Sequence, residues 1–234
     1  MNNKWYQKKW MLPVIIPLII FILFNTFYSV PMLRNRVIQE KENQIRDLTE
    51  MGISILKHFH SMEEAGTLTR SQAQQQAASL IRDIRFGPED RDYYWINDHE
   101  PTLIVHPFRT DLEGANLAAE DLQTFLELFL RFAAIAADEG EGFVRYDWQY
   151  YDEMERLEPK ISYVKEFQPW GWIIGTGLYV NDVEKAARSQ RNMNTIFVLT
   201  ALQLFLAVVV VIRLMEDRQK KQRLGDGTDE RTLA

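Results

Sequence analysis

Two stretches of this chain carry no charge, residues 11–30 (MLPVIIPLIIFILFNTFYSV) and residues 195–212 (TIFVLTALQLFLAVVVVI). At about 1.5 Å per residue, a helix of either length reaches about 27–30 Å, the thickness of a bilayer's hydrocarbon core. Lys4, Lys8 and Lys9 precede the first stretch, as they would in a secretory signal. Its apolar run is longer than the usual signal core, however, and no Ala-x-Ala site closes it, so an uncleaved span is expected. Trp5, Tyr6, Trp10 and Tyr28 sit where interfacial aromatics anchor such a helix. Arg213, Arg218, Lys220, Lys221 and Arg223 follow the second stretch, and only Lys185, Arg188 and Arg191 stand before it. The excess of cations marks the cytoplasmic side. The sequence therefore predicts residues 1–10 in the cytoplasm, spans at 11–30 and 195–212, an extracytoplasmic domain over 31–194, and a cytoplasmic tail from 213 to 234.

The net charge of −6 and the lack of a basic patch with interleaved aromatics argue against nucleic-acid binding. The chain has no cysteine, which excludes disulfides, zinc–thiolate sites and cysteine nucleophiles. His58 and His60 are two apart on a helix pattern and do not face one metal, and no hydrolase, zincin or phosphate-loop motif occurs. An enzyme is not expected, nor a cofactor or metal.

Between the spans the pattern reads helix, helix, β, β, helix, β, β, β, helix. Arg34 to His60 reads as one long helix with Ile38, Ile45, Leu48, Ile55 and Phe59 along a seam, where Lys41 and Gly52 are defects. Thr69 is the natural N-cap of a second helix with an apolar stripe of Ala73, Ala77, Leu80, Ile81 and Ile84, closed by Gly87-Pro88. A hairpin follows at 93–97 and 102–106, then a loop, a helix over about 121–137 ending at Gly140, and strands at 142–148, 159–167 and 172–179. A polar helix from Asn181 to about Met193 feeds the second span. Consecutive hairpins imply an antiparallel sheet, so the fold class is α+β: a long N-terminal helix and five strands in a PAS-like arrangement.

The strand at 159–167 poses a chemical question. Its alternation puts Lys165 on one face with Ile161, Tyr163 and Phe167, and a buried, unpaired ammonium costs several kcal/mol. A carboxylate ligand answers it by supplying the counter-ion. His106, ending the second strand, would donate a further hydrogen bond, Tyr93 and Trp95 share a strand face and would wall a short carbon tail, and Tyr163 neighbours Lys165. The alternatives are that Lys165 snorkels from an edge or pairs with a carboxylate such as Asp147, and that His106 is bonded to backbone. Trp170 and Trp172 read as core and turn packing; Tyr146 and Trp148 fit either role.

The stretches Asp92-Tyr93-Tyr94-Trp95-Ile96-Asn97-Asp98, His106-Pro107, Gly114-Ala115-Asn116-Leu117, Gly140-Glu141-Gly142-Phe143-Val144, Pro159 to Lys165 and Pro169 to Gly177 occur in that order. In this the chain resembles the single Cache domains of the second subtype, PAS-like extracytoplasmic sensors of chemoreceptors and histidine kinases, over roughly residues 35–185. The resemblance implies a small monocarboxylate ligand such as acetate, propionate, pyruvate or lactate, held by Tyr93, Trp95, His106, Tyr163 and Lys165. Ala115 stands where that loop often carries lysine. Family members usually continue into a large cytoplasmic signalling module, whereas about twenty residues follow the second span here. A separate signalling or transport partner is therefore expected, with homodimerisation favoured by Asn25 and Gln203, which are costly in lipid without a partner. A ligand-free accessory membrane subunit and a sensor region lacking its output module are the alternatives.

Overall fold

The computed structural model describes residues 12–118 and 122–229. Helix α1 (Leu12–Phe24) passes through a π-helical turn (Asn25–Ser29) into the long α2 (Val30–Glu64). After α3 (Arg70–Asp83) come the strands β1 (Tyr94–Asp98) and β2 (Leu103–Val105). Helix α4 (Gln123–Glu139) leads to β3 (Glu141–Tyr150), β4 (Glu153–Phe167) and β5 (Trp172–Tyr179), and the chain ends in α5 (Val180–Asp229). The expected α+β class, long N-terminal helix and five antiparallel strands are all present, in the order β2-β1-β5-β4-β3. The first and last strands of the domain thus meet at its centre, and β2 and β3 are the edge strands.

Local chemistry sets these boundaries. Thr69 caps α3: its hydroxyl accepts from the Gln72 N–H, and the Gln72 side chain answers the Thr69 N–H. The helix stops at Asp83, ahead of the expected Gly87-Pro88, because Ile84 is already extended. Gly140 closes α4 at φ 78°, a conformation that favours glycine. Between β4 and β5, Gln168–Trp170 form a 3₁₀ turn, and Gly171 at φ 63° completes the reversal.

The sheet has two differently covered faces. Helices α2 and α3 bury Ile53, Leu56, Ala73, Ala77 and Ile81 against Tyr94, Ile96 and Ile174. Trp170 and Trp172 complete that core, as expected. Gly52, read as a defect in the α2 seam, is instead a point of close approach: a Cβ there would lie 2.6 Å from the Ile174 side chain. The opposite face carries Trp95, Val144, Trp148, Val164 and Ile173, covered by Phe129, Phe132, Ala133 and Ala136 of α4. On this face Gly175 leaves room for the Trp95 indole, which a Cβ would meet at 2.5 Å.

The chain divides into two compact units, residues 1–186 and 187–234. In the second, Arg191–Glu216 is a helical stretch of 26 residues that contains an 18-residue window of mean hydropathy 2.8, long and apolar enough to cross a membrane. In the first, Ile19–Tyr28 forms a shorter apolar stretch. Trp5, Tyr6 and Trp10 lie outside the described residues.

Candidate functional site

Strand parity decides which side chains meet. On β1, Trp95 points with its predecessor Tyr93 towards α4, while Tyr94 and Ile96 point to α2. On β4 the even positions face α4. Lys160 is therefore opposite Tyr146 of β3 and Tyr179 of β5, directly across the ladders. Leu128, Phe129 and Phe132 of α4 close the space from above, and His106, just beyond β2, reaches it from the side. These groups, with Tyr93, Trp95 and Trp148, line a narrow, partly open cavity of about 10 Å³, measured as the space open to the centre of a water molecule. That is room for about one water.

The polar chemistry inside is concentrated on one amine. Lys160 is 2% exposed. Its Nζ donates to the Tyr93 phenol oxygen at 2.9 Å and lies 4.2 Å from the centre of that ring, with the rings of Tyr179 and Trp95 at 5.0 and 5.6 Å. Among the described residues no carboxylate lies within ion-pair distance of it. Burial pushes its pKa down to about 7, against a partial pull upward from the buried Asp92 carboxylate. Asp92 is itself held above the usual carboxylate range by burial, and accepts from the Tyr151 phenol at 3.0 Å.

The second donor is His106. Burial, then the charges of Lys160 and Arg109, hold its pKa well below the ordinary imidazole value, so the ring is neutral. The Phe108 N–H donates to Nδ1 at 3.3 Å, which assigns the ring hydrogen to Nε2. The backbone behind it is fixed: the His106 N–H donates to Glu113 at 2.8 Å, and Arg82 holds Glu113 through two further bonds. Burial raises the Tyr93 phenol far above its usual value, leaving it protonated and able to donate its own hydrogen while accepting from Lys160. The Trp95 indole N–H is already used on the Asn97 side-chain oxygen at 3.2 Å. Trp95 is thus a wall rather than a donor.

Of the residues expected from sequence, Tyr93, Trp95 and His106 come together here. Tyr163 and Lys165 do not. They occupy the opposite sheet face, where Tyr163 packs with Ile45 and Ile161. Lys165, expected to be buried and unpaired, is part-exposed and bonded to both Glu50 of α2 and Glu141 of β3. Burial lowers its pKa, but the hydrogen bonds to Glu141 and Glu50 outweigh that and hold it above the ordinary value. The correction has a simple cause. Face assignment by alternation was right for Lys165, but the α4 side, with Lys160, Ser162 and Val164, is the side that holds the cavity. Lys160 itself was missed. Its signal was available in that second set of alternating positions. Tyr146 lines the cavity with its phenol bonded to Ser162 Oγ at 2.9 Å, and Trp148 packs on the His106 ring at 5.6 Å.

Comparison with known proteins agrees with this architecture. The family profile described as Single Cache domain 2 matches residues 37–192. The chain is 36% identical over 176 residues to the methyl-accepting chemotaxis protein McpP of Pseudomonas putida, covering 75% of this chain and 32% of that protein. It is 29% identical over 224 residues to the sensor histidine kinase MctS of Rhizobium johnstonii, covering 84% of this chain and 45% of that one. The chain therefore spans less than a third of the first relative's length and less than half of the second's. A solved Cache chemosensory domain, described for its carboxylic acid recognition, superimposes with a TM-score of 0.57 at 34% identity, covering 62% of this chain and 97% of that domain.

Proposed function

We propose that this chain, which belongs to the single Cache family of the second subtype, is a membrane-anchored sensor that binds a small monocarboxylate between α4 and the sheet. The observation that carries the reading is Lys160: a fully buried amine with a neutral phenol as its hydrogen-bond partner, in a cavity otherwise walled by rings. A charged amine so placed lacks a counter-ion, and a carboxylate supplies one. One carboxylate oxygen would accept from Lys160 and Tyr93, the other from His106 Nε2. The aromatic walls suit a short hydrocarbon tail, and among the described residues that line the cavity Lys160 alone carries a positive charge, which suits a monocarboxylate. The carboxylic acid recognition attributed to the similar solved domain supports the same class of ligand. In this reading Tyr163 and Lys165 are structural. Residues 31–194 are extracytoplasmic, both termini are cytoplasmic, and the bound state is passed to a signalling partner or output module through paired copies of the chain.

A two- or three-carbon acid has about four to six heavy atoms, and the best tiny ligands gain roughly 1.5 kcal/mol per atom. That ceiling corresponds to a Kd no tighter than about micromolar. The test is calorimetry on the full chain in nanodiscs with acetate, propionate, pyruvate and lactate beside the matching amides. Micromolar to sub-millimolar binding of at least one acid, and none of its amide, is expected. Equal binding of acid and amide would remove the role of charge pairing at Lys160.

A further inference from the structure

The cavity at Lys160 is too small, as it stands, for the ligand class proposed above. Space for about one water must grow several-fold to take four or more heavy atoms, so a wall moves on each binding event. The sheet side is held by polar bonds: Lys160 to Tyr93, Trp95 to Asn97 and Tyr146 to Ser162. The α4 side offers only the hydrocarbon of Leu128, Phe129 and Phe132. Leu122, the N-cap position of α4, makes no side-chain cap.

Outside the cavity, between α4 and the β3–β4 hairpin, runs an open groove of about 500 Å³. It shares Leu128, Tyr146 and Trp148 with the cavity, so these three side chains are the partition between the two spaces. Its Tyr146 half is tied to Ser162, and Trp148 is wedged between His106 and Phe125, with the Arg109 guanidinium 4.7 Å from the Phe125 ring centre. Leu128 has no polar tether. The groove's charges oppose one another, Arg109 and Arg131 against Glu127 and Asp147, so electrostatic steering is not what marks it as a path. The shared wall marks it.

We propose that the small acid reaches Lys160 through this groove, with Leu128 as the gate that moves off Tyr146 and Trp148. This rests on the cavity being the acid site. It adds the path and the moving part, and it locates control of the binding rates outside the groups that set affinity.

The chain has no cysteine, so one introduced thiol is labelled uniquely. Met154 lines the groove and is 61% exposed, and Met51, also 61% exposed, lies on α2 and serves as the control. Each is changed to cysteine (Met154→Cys, Met51→Cys) in the full chain in nanodiscs and reacted with a bulky non-fluorescent maleimide. Binding of propionate, and of acetate, pyruvate and lactate in turn, is followed by stopped-flow tryptophan fluorescence, since Trp95 and Trp148 line the cavity. Blocking the groove at Met154→Cys is expected to slow kon and koff together, by roughly tenfold, with Kd unchanged and the control unaffected. Leu128→Ala, which thins the partition, is expected to raise kon. Parent rates in the labelled groove variant, with affinity intact, refute the path alone. If no acid binds the parent at equilibrium, the reading of the cavity fails and the path fails with it.

Discussion

Replacing Lys160 by methionine tests whether the buried amine is held at a cost that a ligand removes. Lys160 titrates at about 7 in the folded domain, against 10.5 for a free lysine. Between those values the unfolded chain binds the extra proton, so stability rises with pH, by about 1.4 kcal/mol per pH unit for this group. The lysine penalty is thus about 4 kcal/mol at pH 7 and falls to about 1 kcal/mol at pH 10. Lys160→Met keeps most of the stem and deletes the titration. It also leaves the Tyr93 phenol without its donor, a loss of about 1–3 kcal/mol that does not depend on pH in this window. The variant should therefore be more stable than the parent at pH 7, by about 1–3 kcal/mol, and equal or less stable by pH 10.

The assay is a pair of thermal melts of the full chain in detergent, at pH 7 and at pH 10, followed by tryptophan fluorescence. For a domain of this size the Tm gap between variant and parent should shift by roughly 6–12 °C between the two conditions. Groups common to both proteins cancel in that gap. His106, whose pKa is also depressed, acts only as pH falls below its ordinary value of 6.5, outside the window. Binding should move the opposite way to stability: without the amine, the acid's affinity falls by about 2 kcal/mol or more, roughly thirtyfold. Parallel melting curves, with no change in the gap, would show that Lys160 is not desolvated as described. Normal acid binding by a folded variant would show that it is not the ligand's counter-ion.

Two other expectations follow from the same geometry. Lys165→Met should cost at most about 1 kcal/mol, because its pairs with Glu50 and Glu141 are half-exposed, and acid binding should be unchanged; a loss of binding in a titration would return Lys165 to the ligand site. Protease added to intact spheroplasts should cut within residues 31–194 and spare both tails, and a fusion at Ala234 that is active only outside the cytoplasm would overturn the orientation.

Much of the fold was legible because periodicity and terminal chemistry are local. The Thr69 N-cap, Gly140 at the end of α4 and the alternation of β4 each act within a few residues, and each is where the sequence places it. What strand alternation does not carry is which sheet face receives which helix. Ile161, Tyr163 and Lys165 are as good a candidate face as Lys160, Ser162 and Val164 until α2 is known to lie over the first and α4 over the second. That assignment depends on contacts more than a hundred residues apart, such as Lys165 with Glu50. The same gap explains Gly52, a defect within α2 alone but a necessity once Ile174 is beneath it. It also explains why one strand can hold two lysines with opposite fates. On the α2 face, carboxylates of α2 and β3 meet Lys165 and leave it charged and half-solvated. On the α4 face, hydrocarbon and aromatic rings surround Lys160, and among the described residues no carboxylate comes within ion-pair distance of it, Asp92 acting only from further off. A lysine satisfied by its own fold has no use for a ligand. Lys160, without an ion pair among the described residues, is the one for which a carboxylate ligand is proposed.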